Sequence, residues 1–197
     1  VTGYGYLLDI RDSASLSSQS YGLRFSGGYK VNDNFRAIYS AEFARQTDYA
    51  ANTSSFSENY LLVEPGLKFS GLTAKVGYEV LSGDGTDAFQ TPLATGHAFN
   101  GIVDKFLTTP DDGLEDIYLK VGYSFGKVPF VDKVSLGAAF HEFEADQGGA
   151  DYGSEWNAKV AVKINRMFDF SLQYADYRAD TFSVDTQKFW GTVHFKY

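Results

Sequence analysis

The chain contains no cysteine, which excludes both a disulfide framework and a thiolate metal site. Its 197 residues include one methionine and four prolines, and so few prolines leave long strands uninterrupted. No apolar run reaches the roughly 18 residues of a membrane-spanning helix. A cationic excess is missing too: the net charge is -8, which argues against a general nucleic-acid binder. Mean hydropathy is -0.25 and by itself reads as soluble. Hydropathy is nearly blind to membrane barrels, however, because their strands are only half apolar. The chain opens at Val1, with neither Met nor a signal peptide, as expected of a mature or trimmed chain.

Aromatic residues are abundant, at 17% with 14 Tyr and 17 Phe, and they follow a period of two. Apolar and polar residues alternate in ten segments, at 4–11, 21–26, 35–43, 61–69, 72–80, 117–125, 134–141, 156–164, 168–174 and 188–197. The first sets Tyr4, Tyr6, Leu8 and Ile10 on an apolar face against Asp9 and Arg11. The last, KFWGTVHFKY, sets Phe189, Gly191, Val193, Phe195 and Tyr197 against Lys188, Trp190, Thr192, His194 and Lys196. Strands of about 9–12 residues suit a tilted crossing of a bilayer better than an ordinary soluble sheet.

Connections alternate in length. Those at 31–34, 70–71, 126–133 and 165–167 are short; those at 12–18, 47–58, 82–114, 145–153 and 178–186 are long. This predicts an all-β fold: a transmembrane antiparallel up-and-down β-barrel of about ten strands, with short periplasmic turns and long extracellular loops. A soluble barrel or sandwich would show the same alternation with its apolar face inward. Three features favour the membrane reading. Aromatics on the apolar face gather near strand ends (Tyr29, Phe35, Phe69, Phe125 and Phe168 at one, Phe43, Phe140, Trp156 and Tyr174 at the other), as two interfacial girdles would. The polar face mixes charges with Gly77, Gly122, Gly137 and Ala161, as a narrow lumen requires. The last strand closes on an aromatic and is similar to the C-terminal signal of outer-membrane assembly, with Gly191 one position off its commonest spacing.

The polar face has a sign. The expected lumen-lining residues are Arg11, Arg24, Arg36, Lys68, Lys75, Lys120, Lys159 and Lys163, with Glu42 and Glu79 among fewer acids. Most other carboxylates fall in connections. Charged rings in a low-dielectric wall set ion selectivity, so this pattern reads as a path for anions or anionic saccharides. The alternative is that these cations pair with lumenal acids and plug a narrow barrel.

Segment 82–114 is too long for a passive connection and is expected to act as a constriction or a lid, with Phe89, His97, Phe99, Asp104 and Lys105 as its notable residues. Carboxylate clusters at 83–87 and 142–151 match no EF-hand spacing and read as solvated acidic loops, so no metal is assigned. His141, Asp176 and Asp180 invite a protease reading, but their spacing supplies no paired motif, so neither catalysis nor a cofactor is assigned.

The stretch FQTPLATGHAFNGIVDKFLTTPDDGLEDIYLKVGY resembles the C-terminal half of the alginate-export-like outer-membrane porins of Gram-negative bacteria. YGYLLDI, SSQSYGLRFSG, YSAEFARQTDYA, VGYEVLSGDGT, HEFEADQGGADYGSE and YADYRAD fit that pattern too. Members of this family are about twice as long. The chain is therefore expected to be either a ten-strand barrel over 1–197 or the C-terminal part of a larger one. The resemblance implies an integral protein of the Gram-negative outer membrane that passes anionic polysaccharide or smaller anions. Its implied partners are outer-membrane lipid, lipopolysaccharide and the barrel assembly machinery, with no nucleic acid. The rival expectation is a closed structural or adhesive barrel whose loops bind partners.

Overall fold

Ten strands run up and down in sequence: β1 (Thr2–Leu8), β2 (Ser18–Lys30), β3 (Phe35–Asp48), β4 (Ser57–Phe69), β5 (Leu72–Leu81), β6 (Leu114–Phe125), β7 (Lys133–Glu144), β8 (Asp151–Lys163), β9 (Phe168–Ala179) and β10 (Thr186–Phe195). The computed structural model describes residues 1–126 and 128–196, so the expected outward position of Tyr197 lies outside the described residues. Each strand pairs antiparallel with its neighbours in sequence, in the order β1 to β10. Among the described residues β1 and β10 share no ladder, which leaves two open edges.

Turn chemistry fixes the register at the short-turn end. Two hairpins repeat one solution, Val31–Phe35 and Ile164–Phe168. In each an Asn side chain, Asn32 or Asn165, accepts the N–H groups two and three residues on, at 2.8–3.0 Å. Between β4 and β5 the pair Ser70–Gly71 has φ of 43° and 90°, the two positive values that a tight type I′ hairpin demands.

Directly paired residues share a face, so the register carries one parity across the sheet. Arg24 lies opposite Glu42, Glu42 opposite Leu62, Leu62 opposite Glu79 and Glu79 opposite Asp116. We call this the inner face. The outer face carries Leu23, Phe43, Leu61, Val63, Val76, Leu119, Val121 and Val160, all exposed. At its short-turn end stand Tyr29, Phe69, Phe125 and Phe168; toward the loops stand Phe43, Trp156 and Tyr174. A water-soluble monomer rarely exposes a contiguous apolar patch above a few hundred Å². Strands of thirteen residues reach about 43 Å, or about 33 Å once tilted by 40°, the order of a hydrocarbon core.

β1 departs from the expected parity. Its partners put Tyr4, Tyr6 and Leu8 on the inner face and Gly3, Gly5 and Leu7 outside. The cause is polar. The Tyr4 hydroxyl donates to Glu42 Oε1 at 2.6 Å, a bond unavailable to it in an apolar solvent. β1 also ends at Leu8, so Ile10 and Arg11 lie in the connection 9–17, where Arg11 sits 3.6 Å from Asp9 with its side chain 89% exposed. Arg11 is therefore not a lining residue.

Two sites on the inner face repeat one arrangement. Tyr4 lies across Gly22 of β2 to reach Glu42 of β3, and Glu42 also accepts from Arg24 at 3.1 Å. Tyr118 of β6 lies across Gly77 of β5 to reach Glu64 of β4 at 2.8 Å, and Glu64 also accepts from Lys75 at 2.7 Å. A Cβ at Gly22 or Gly77 would overlap the tyrosine ring. The glycine thus lets an aromatic ring lie flat and tie three strands together. Gly77→Ala should destabilise the protein by about 1–3 kcal/mol through overpacking and the strained Tyr118–Glu64 bond. Gly122→Ala on the same face, where the new methyl meets only Leu136 O at 3.6 Å, should be near neutral. Denaturant midpoints of the two variants in micelles test this, and equal losses would refute it.

Candidate functional site

Segment 82–113 carries no strand of its own; its backbone groups bond to one another and to the loop's own side chains, and at a few points to inner-face side chains that fix its place. Its first part is pinned by amides. Gln46 of β3 donates to Gln90 O at 2.9 Å and accepts from Gln90 N–H at 2.8 Å, completing a strand-like pair with a side chain. The Gln90 side chain does the same with Thr109, donating to its carbonyl at 2.8 Å and accepting from its N–H at 3.1 Å. Phe89 packs beneath this junction, 5.7 Å from the Tyr60 ring.

The middle part, Asn100–Val103, crosses the sheet and is held by carboxylates. Asn100 (φ 49°) and Gly101 (φ 81°) turn the chain so that the N–H groups of Ile102 and Val103 converge on Glu155 Oε1 of β8, at 2.6 and 3.0 Å. Successive N–H groups converging in this way form an anion-binding nest, and the anion here is the protein's own carboxylate. A Cβ on Gly101 would collide with that carboxylate, so glycine is required both for its φ and for the close approach. The Asn100 amide donates to Glu79 at 3.2 Å and to Asp116 at 3.3 Å. Asp116 in turn lies 2.9 Å from His141 Nδ1, and both are fully buried. On the far side, the Lys188 ammonium of β10 donates to Val103 O at 2.6 Å.

The remaining loop residues complete the packing. Phe106 enters an aromatic cluster with Phe143 (4.6 Å), Phe182 (5.2 Å) and Tyr152 (5.9 Å), the main apolar core of the described chain. His97 pairs with Asp104 at 2.6 Å and meets the Trp190 ring edge-on at 5.0 Å. Lys105 donates to Ser183 and lies 5.3 Å over the Tyr177 ring. Phe99 is 60% exposed. At the loop entrance the backbone N–H groups of Asp87 and Thr86 donate to Asp84 and hold its carboxyl below the usual range. That acid is thus engaged in its own turn.

The cations below the loop differ in their company. Arg24 and Lys75 are paired with Glu42 and Glu64. Among the described residues, Arg36, Lys68, Lys120, Lys159 and Lys163 have no carboxylate within 4.0 Å; Lys120 instead lies 4.0 Å over the Tyr118 ring. The inner face is therefore divided by height. Carboxylates near the loops are spent on holding segment 82–113, and unpaired cations occupy the middle and the short-turn end. Residues not singled out from the sequence include Asp116 and Gln46 on the inner face and the anchoring residues Asn100 and Gln90 in the loop. The protease reading fails geometrically: His141 is on the inner face, while Asp176, opposite Trp156, is on the outer one.

No family model and no curated protein matches the chain. Solved structures do. OpdL of Pseudomonas aeruginosa aligns with a TM-score of 0.61 and 14% identity over 89% of this chain and 52% of that one. OccAB4 of Acinetobacter baumannii aligns at 0.65 and 13% over 90% and 46%. The outer membrane protein OpdK of Pseudomonas aeruginosa aligns at 0.61 and 12% over 90% and 49%. The fold is that of outer-membrane porin barrels, and this chain spans about half the length of the structures it matches.

Removing the nest's anion should free the segment it holds. Glu155→Ala leaves the N–H groups of buried Val103 and half-buried Ile102 without a partner, a cost of about 2–4 kcal/mol, and Gly101→Ala should reach the same state by expelling the carboxylate. Both should raise amide exchange at Ile102 and Val103 and speed tryptic cleavage after Lys105 at least several-fold. Unchanged protection in both variants would show that the loop is held by other contacts.

Proposed function

We propose that this chain forms part of the wall of a passive outer-membrane porin whose lumen favours anions, with segment 82–113 as its constriction. One observation carries this reading: an outward apolar face opposite an inner face on which five cations lack a carboxylate partner among the described residues. Arg24, Arg36, Lys68, Lys75, Lys120, Lys159 and Lys163, with Glu42 and Glu79, line the path, and Phe89, His97, Phe99, Asp104 and Lys105 shape the constriction. Lysines standing in a low-dielectric wall concentrate counter-ions along the route. The resemblance of FNGIVDKF and its flanks to alginate-export-like porins supports anionic saccharides among the solutes. The outer face is in contact with lipid and, at the loop end, lipopolysaccharide. β10, with Phe189, Val193 and Phe195 outward, is the segment addressed to the barrel assembly machinery. The chemistry is transport, without a catalytic step.

Reversal potentials of the full-length protein across planar bilayers under a KCl gradient should show chloride preferred over potassium. Lys120→Glu combined with Lys159→Glu should lower that preference several-fold. Cation preference in the unaltered protein would overturn the selectivity. Folded protein that inserts but gives no conductance steps would instead favour a closed structural or adhesive barrel.

A further inference from the structure

Residues 98–102 do more than narrow the inner face: they divide it into two chambers of different chemistry. Ala98, Gly101 and Ile102 border a cavity of about 230 Å³ that also contains Lys120, Lys159 and His141. Phe99 and Asn100, on the opposite side of the same segment, border a larger cavity of about 450 Å³ against β1–β5. The first holds Lys120 and Lys159 of the path already described, whereas its acids Glu42 and Glu79 border the second. Among the described residues, no ammonium or guanidinium group lines the second.

The walls of the larger chamber are aromatic. Tyr4 and Tyr6 stand side by side on β1, ring centroids 5.2 Å apart, and Tyr60 with Phe89 forms a second pair at 5.7 Å. Tyr6 and Phe99 are 59% and 60% exposed, so their faces are free to meet a solute. Its floor consists of hydrogen-bond acceptors. Glu42 accepts from Tyr4 and Arg24, and Glu79 accepts from Tyr60 and Asn100. An ionised carboxylate has about four acceptor sites, so each retains roughly two. The charge of Glu42 is matched by Arg24, so the floor asks for donors.

We propose that this chamber is a binding site for a neutral saccharide ring, resting on the porin reading above. A pyranose offers C–H faces to aromatic walls and a rim of hydroxyl donors to carboxylates and amides. A purely aromatic solute would leave those acceptors unpaired, a loss that sites built for hydroxyls reject strongly. A small anion would meet Glu42 and Glu79 with no free cation to offset them. The volume accommodates about one to two sugar rings, within the usual range of ligand pockets. Tyr6 and Phe99 are the stacking residues, and base-stacking analogies put each such contact at about tenfold in affinity.

The test uses the full-length protein in micelles with maltose and cellobiose as probes, followed by saturation-transfer NMR, which reads binding without conductance. Transfer to the sugar ring protons is expected in the unaltered protein. It should fall about tenfold in Tyr6→Ala and Phe99→Ala and persist in Lys120→Glu with Lys159→Glu. The same sugars should interrupt single-channel current in bilayers, and Tyr6→Ala should abolish the interruptions while leaving chloride preference unchanged. Absence of transfer in the unaltered protein, or transfer indifferent to Tyr6 and Phe99, would overturn the saccharide site. Absence of conductance alongside normal sugar binding would overturn the porin reading and leave this one standing.

Discussion

A sheet that turns its apolar side outward has no hydrophobic interior with which to hold its other side, and the inner face of this chain is organised around that constraint. The strand ladder absorbs the backbone polar groups, but side chains facing the inner space must find one another or water. They do so with bonds that reach across strands. Tyr4 and Tyr118 each span a glycine to a glutamate one strand beyond, and a cation on the middle strand completes each set. Tyrosine suits this role because its ring covers the bare backbone of glycine while its hydroxyl supplies a donor.

The same constraint governs segment 82–113. A loop of this length brings a row of N–H and C=O groups to the inner face, and the strands answer it with side chains that imitate backbone. Gln46 acts as a short piece of ladder, a device the loop's own Gln90 repeats toward Thr109, and Glu155 acts as an anion in a nest. Among the described residues the apolar cluster gathers beneath the loop, around Phe106 and Phe89. The loop is therefore positioned by directional bonds, which fix where Phe99 and Asn100 project more sharply than apolar contact would.

The architecture was legible in the sequence because alternation reports a face directly. Phe189, Val193 and Phe195 point outward in the structure, and the Val31–Phe35 and Ile164–Phe168 turns sit where the periodicity breaks. Parity went wrong only in β1, where the residues that carry the pattern are tyrosines. A tyrosine reads as apolar in a two-class pattern, yet its hydroxyl can decide which face it takes, and Gly3 and Gly5 opposite it offer no counter-signal. Arg11 was misassigned because the alternation runs three residues past the end of the strand. The loop anchors were hidden for another reason. Asn-Gly at 100–101 signals a turn, but its partners Glu79, Asp116 and Glu155 are 16 to 53 residues away, and contacts of that separation leave no local mark.

The two halves of the long loop are fastened by different chemistry. Gln46, Gln90 and Thr109 hold one end through neutral amides, whereas Glu79, Asp116 and Glu155 hold the middle through carboxylates. An amide pair holds its partner by two bonds lying in one plane, as a rung is held, so 89–91 is set in a single register. A carboxylate instead gathers donors from several directions onto one group, so 100–103 is strung from points rather than laid in a track.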